Sequence, residues 1–135
     1  MNSALESADR AAADDLVATL QFYFDGLYHS DTERLAKAFH PKAIYASATG
    51  GDLVHLTMDE YFPMVDCRPS PASRGEPRTD RVVSIDLAGP ATAIARVQCS
   101  IGPKHFTDLL TLVHVEGRWQ IVAKVFHYEL APTEG

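Results

Sequence analysis

A single apolar stripe of helical period constrains this chain most. Leu16, Leu20, Tyr23, Phe24 and Leu27 recur along residues 9–28 at the spacing of one helix face, while Asp14, Asp15, Thr19, Gln21 and Asp25 occupy the other. A helix with one apolar face must bury it against another layer. The rest of the chain supplies that layer as strands. From residue 79 the periodicity becomes that of extended chain: residues 79–88 and 91–101 flank Gly89-Pro90, and residues 104–115 and 118–128 flank Glu116-Gly117, a two-residue hairpin turn. Helices first and antiparallel strands after them predict an α+β domain.

Between these parts the reading is finer. Ser30-Asp31-Thr32-Glu33 has the form of a capping box and predicts a second helix, lined by Leu35, Ala38 and Phe39 and stopped by Pro41, with His40 suited to its C-terminal end. Residues 43–49 and 52–56 predict two short strands joined at Gly50-Gly51. Thr57-Met58-Asp59-Glu60 predicts a capped third helix that Pro63 truncates. Residues 67–78, with Pro69, Pro71, Pro77 and Gly75, predict the one long irregular loop.

Composition excludes several classes. The 135 residues suffice for one domain, 1–135, and 46% hydrophobic residues suffice for a core. The net charge of −6 argues against a nucleic-acid partner, which needs a concentrated basic face. Arg68, Arg74, Arg78 and Arg81 are interleaved with acidic residues and read as a solvated loop. Apolar runs are too short for a membrane span and residues 1–20 are too charged for a secretion signal, so a cytoplasmic protein is expected. Cys67 and Cys99 lack paired spacing and read as free thiols, and the scattered histidines supply no metal site. No phosphate-cradling loop or nucleophile elbow occurs, and no cofactor is expected.

Three segments carry a family resemblance: FYFDGLYHSDTERLAKAFHPKAIY (22–45), GGDLVHLTMDEYF (50–62) and FTDLLTLVHVEGRWQIVAKVFHYE (106–129). With them the chain resembles the nuclear transport factor 2-like superfamily, and within it the SnoaL-like group labelled "Putative lumazine-binding". The resemblance implies a cystatin-like fold: a cone-shaped, mostly antiparallel curved sheet wrapped around a long N-terminal helix, with two shorter helices and a pocket at the open end. It also implies a homodimer formed through the outer sheet face. Relatives include isomerases, dehydratases, hydrolases and transport adaptors, so the fold does not choose an activity. In the related ketosteroid isomerases a helix tyrosine and an acidic strand residue are oxyanion donors. Tyr23 and Asp108 lie in comparable elements, and no aspartate matches the general base of those enzymes.

Candidate site residues follow from strand parity. Pairing Val115 with Arg118 sets Leu112 opposite Ile121, Asp108 opposite Val125 and Phe106 opposite His127. Phe106, Asp108, Trp119, Ile121 and His127 then share the pocket face, while Leu109, Val113, Val122, Lys124 and Phe126 fall outside. On this register Asp108 and His127 are diagonal neighbours, about 7–8 Å apart. Such a pair suits acid–base work, with His127 oriented by Asp108; it also suits a buried polar pair, or pocket lining without chemistry. Tyr23, Tyr45, Tyr61, Phe106 and Trp119 complete a wall for a small, partly apolar, aromatic ligand. A cofactor-free isomerase, dehydratase or hydrolase and a dimeric association module are the alternative readings.

Overall fold

The computed structural model describes residues 3–132, with side chains from residue 10 onward. Helix α1 spans Ser3–His29, α2 Thr32–Ala38 and α3 Met58–Cys67. The strands are β1 Phe39–Ser47, β2 Val54–Thr57, β3 Arg81–Leu87, β4 Thr92–Ile101, β5 Lys104–Val115 and β6 Arg118–Leu130. They form one six-stranded sheet in the order β2-β1-β6-β5-β4-β3. Every neighbouring pair is antiparallel except β1 with β6, which is parallel. The expected α+β architecture is therefore present.

The stripe of α1 is buried as its period requires: Leu16, Leu20 and Tyr23 are fully enclosed, and Phe24 and Leu27 nearly so. Its cover is the inner sheet face, where Ala93, Ala95 and Val97 of β4 alternate inward beside Leu110 and Leu112 of β5 and Ile121 of β6. Each such large apolar side chain contributes roughly 1.5–3 kcal/mol on burial. Gly26 lies where a Cβ would come within 2.6 Å of Leu35 Cδ2, so the glycine is what lets α2 pack closely on α1.

Local chemistry agrees with the sequence in most places and departs from it in four. The Thr57 capping box on α3 is complete, with Glu60 answering the Thr57 backbone. The Glu116-Gly117 turn has both residues at positive φ, 56° and 80°, as a primed two-residue hairpin needs. The α2 cap, however, is Asp31 rather than Ser30: its carboxylate accepts from the Glu33 and Arg34 amides, while Ser30 takes a left-handed turn at φ 49°. Second, α2 ends at Ala38, so Phe39, His40 and Pro41 belong to β1. Pro41 sits where the β1–β6 register slips between Phe39 and Ile44, a position that does not call on its missing N–H. His40 accepts from the Lys42 amide at 3.0 Å instead of capping a helix. Third, α3 runs past Pro63 to Cys67, held by the inward packing of Met58, Tyr61 and Val65 with Pro63 on the exposed side.

The fourth departure decides the site. β5 and β6 pair as expected from Val115–Arg118 to Leu112–Ile121, but the next pair is Thr111 with Ala123. Val122 is an extra residue, a bulge, and it reverses the facing of everything after it on β6.

Candidate functional site

Asp108 reaches the interior because β5 keeps its alternation. Leu110 and Leu112 point inward on the same face, and Asp108 is fully buried with them. Tyr23, two helical turns along the α1 stripe from Leu16, meets it from the opposite layer and donates its phenolic hydroxyl to Asp108 Oδ2. Oδ1 of the same carboxylate is buried without a partner.

The bulge brings a second charge to this place. With Val122 inserted, Lys124 and Phe126 turn inward and Val125 and His127 turn outward. Lys124 is 5% exposed, and its Nζ donates to Tyr61 Oη at 3.3 Å. The rings of Tyr23, Tyr45, Tyr61 and Phe126 surround the ammonium at 5.1–5.5 Å from their centroids. Ring faces attract a cation and partly replace the water it has lost. Tyr45 and Tyr61 pack with centroids 4.5 Å apart, and Phe39 closes edge-on against Tyr23 and Tyr61, so the box is braced by its own aromatics.

Protonation follows from this burial. Burial lowers the affinity of Lys124 for its proton, but the Tyr61 oxygen and the Asp108 carboxylate outweigh it, and the lysine pKa is raised. The ammonium therefore persists at neutral pH. Burial first, and the Asp108 charge second, push the Tyr23 phenol well above its ordinary value, so it stays a donor. Burial raises Tyr45 too and pushes the Cys99 thiol up to about 12, leaving that sulfur neutral and unreactive.

These groups line a chamber of about 20 Å³ bounded by Leu27, Tyr45, Tyr61, Arg68, Cys99, Ile101, Phe106, Asp108 and Lys124. That is room for about one water molecule. Of the residues expected at the site, the fold brings Tyr23, Tyr45, Tyr61, Phe106 and Asp108 together. Trp119 is buried elsewhere, its carbonyl accepting from Thr19 and its ring against His114. His127 is a correction: it lies on the outer face with its side chain 62% exposed, Nδ1 3.1 Å from Thr49 Oγ1 and Nε2 3.8 Å from Glu129. It does not meet Asp108, because the bulge at Val122 puts the two on opposite faces. The same bulge reverses the outward placement of Lys124 and Phe126.

Sequence reasoning thus missed Lys124. A signal existed: Ile121-Val122-Ala123 is an apolar run that breaks alternation, and Lys124-Val125-Phe126-His127-Tyr128 resumes it with aromatics on the other parity. It also missed Arg68, which does not share the solvated setting of its loop neighbours. Its Nε and Nη2 are buried and unpartnered.

The outer sheet face is of another kind. A groove of about 630 Å³ crosses it, bordered by Arg96, Gln98, Leu109, Val125 and His127 among others. Among the described residues, no cluster of three or more His, Cys, Asp or Glu side chains is placed to hold a metal ion, and no helix is long and apolar enough to cross a membrane.

Known proteins share this arrangement of elements. A nuclear transport factor 2-like protein of unknown function from Shewanella baltica OS155 superposes with a TM-score of 0.77 at 25% identity, over 90% of this chain and 94% of its own. Another, from Methylobacillus flagellatus KT, gives 0.75 at 27% identity over 87% and 91%. In sequence, the aldolase FrzH of Cladobotryum sp is 26% identical over 116 residues, which are 84% of this chain and 89% of that protein. Residues 11–127 match the family described as "Putative lumazine-binding". That span runs from Ala11 in α1 past Lys124 and Phe126 of β6, and the chain belongs to this family of the nuclear transport factor 2-like superfamily.

Proposed function

We propose that the chain, folded as one domain in the cytoplasm, binds a small, partly apolar molecule in the chamber between α1, α3 and the inner sheet face. One observation carries this reading: a fully buried carboxylate and a nearly buried ammonium line the same aromatic-walled space, and Asp108 Oδ1 has no partner in it. Charges in such a place are costly unless something uses them. An occupant larger than water requires the walls to part, so binding would be accompanied by an adjustment of α3 or the segment after it.

The test is a thermal-shift screen with pterins, flavins, steroids and planar aromatic ketones. A compound at a hundred times its dissociation constant should add about 2.7 kcal/mol to stability. Tyr45→Ala should remove that gain. A stabiliser unaffected by Tyr45→Ala would place binding elsewhere and end this reading.

The same two charges favour a second, catalytic reading, cofactor-free proton transfer. Asp108 Oδ1 would take a proton from carbon beside a ligand carbonyl, and the oxygen that gains charge would be held by the Lys124 ammonium and the Tyr61 hydroxyl. An aldolase among the relatives fits, since aldol chemistry begins with that proton. Deuterium uptake at the α-carbon of a bound ketone, followed by NMR, should occur in wild type and stop in Asp108→Asn. Uptake that continues in Asp108→Asn would remove Asp108 from the reaction.

A homodimer through the outer face belongs to this proposal as well. Arg96, Leu109 and Val125 are neighbours across β4, β5 and β6, and Leu109 and Val125 are 40% and 44% exposed, an unusual density of open apolar surface for a strand centre. Val125→Asp should halve the mass in solution without touching the chamber. An unchanged mass would reject this face as the contact.

A further inference from the structure

The arginine at the end of α3 forms no ion pair among the described residues, and its position points to what the chamber takes. We propose that Arg68 is a carboxylate subsite of the chamber, so that the ligand is an aromatic or similarly flat organic acid. The inference rests on the chamber being a binding site, as proposed above.

Arg68 is fixed in place by its own backbone. It forms the C-cap of α3, its amide donating to the Val65 carbonyl at 3.3 Å, while Val65, Tyr61 and Met58 anchor the helix in the core. From there the side chain lines the chamber beside Tyr45, Phe106, Asp108 and Lys124. Its Nε and Nη2 are both buried and both unpartnered. These two nitrogens form one edge of the guanidinium, the edge whose parallel N–H groups match the two oxygens of a carboxylate.

The neighbouring arginines make the contrast. Arg74 pairs with Glu76 at 3.0 Å, and Arg78 pairs with Asp25 and Asp80 at 3.0 and 2.7 Å. Asp66, the nearest acid in sequence, accepts from Thr32 instead. Among the described residues no salt bridge includes Arg68. A buried guanidinium edge with nothing to donate to is unfavourable, and an incoming acceptor relieves it.

Charge selects the acceptor. The chamber wall holds two cations, Arg68 and Lys124, against one carboxylate, Asp108. A monoanion brings the site to neutrality; a phosphate dianion would carry it past. The flat walls of Tyr45, Tyr61 and Phe106 suit a planar body behind the acid group.

The experiment compares benzoate with its neutral isostere benzamide by titration calorimetry at low salt. Wild type should prefer benzoate about tenfold, as expected for a charge-assisted fork. Arg68→Met should erase the preference, lowering benzoate affinity by more than benzamide affinity, since the amide carbonyl accepts from the same edge more weakly than a carboxylate does. Arg68→Lys, which keeps the charge and loses the fork, should keep roughly two- to threefold. Equal binding of both compounds to wild type overturns the carboxylate subsite and leaves the chamber standing. A wild-type preference that survives in Arg68→Lys at full strength rejects the fork. Binding of neither compound overturns the subsite and counts against the chamber too. Inorganic phosphate that displaces benzoate at equal concentration would make this a site for free oxyanions and overturn the organic acid.

Discussion

The two faces of one sheet hold opposite kinds of space. The outer groove of about 630 Å³ is bordered by Arg96, Gln98 and His127, groups that water can reach. The inner chamber of about 20 Å³ holds Asp108 and Lys124, groups that water has left. Volume favours the first and chemistry the second. Electrostatic interactions strengthen as water is excluded, so a small dry site with convergent charges can do what a large wet one cannot. The residue that exchanges the two faces is Val122: without the bulge Lys124 would face the groove and His127 the chamber.

Asp108→Asn should show the contrast most strongly. Removing the carboxylate leaves the Lys124 ammonium buried without its compensating charge, a loss of about 3 kcal/mol in urea unfolding. Asp108→Asn combined with Lys124→Met should recover most of it, because the stranded charge goes too. Arg96→Met on the outer face should cost less than about 0.5 kcal/mol. An Asp108→Asn loss no larger than that of Arg96→Met would erase the distinction between the faces.

Tyr23→Phe should come next, at about 1–2 kcal/mol, since Asp108 Oδ2 loses its donor. It also sharpens the pH dependence. The Tyr23 pKa is raised in the folded state, so above pH 10 the unfolded chain releases a phenolic proton that the native chain keeps. Stability from this group is complete below pH 10 and declines as pH rises, by about 1.4 kcal/mol per unit. Lys124, also raised, loses its contribution above 10.5, and Cys99 across the window from 9.0 to about 12. Tyr23→Phe should therefore make the alkaline limb shallower while starting lower. An unchanged slope would mean that Tyr23 titrates as an exposed phenol does.

How far the residues announced this arrangement depends on the distance over which each signal acts. The α1 stripe, the Thr57 capping box and the Glu116-Gly117 turn are local: a few consecutive side chains decide them, and the structure agrees. Asp108 was legible as an inward polar residue because β5 alternates without interruption. Lys124 and His127 were not, because a bulge is a relation between two strands. Ile121-Val122-Ala123 permits one, but only the pairing with Thr111 and Leu112 shows which residue is extra. Arg68 was hidden for a similar reason. Arg74 is satisfied by Glu76 of the same loop and Arg78 by Asp80 and by Asp25 of α1, and nothing nearby in sequence says that one arginine turns inward.

The smallest expected effect tests the reversal itself. His127→Gln keeps a polar side chain of similar length able to reach Thr49, on a surface where the histidine is 62% exposed and 3.8 Å from Glu129. An exposed contact of this sort is worth little, so stability should change by less than about 0.5 kcal/mol. Ligand affinity in the chamber should not change at all, because the backbone of β6 separates the imidazole from Asp108. If His127→Gln instead lowers ligand affinity as Tyr45→Ala does, the imidazole must reach the chamber. The bulge would then have to lie beyond His127 in the ligand-bound chain, and Lys124 would have to give up its place among the tyrosines.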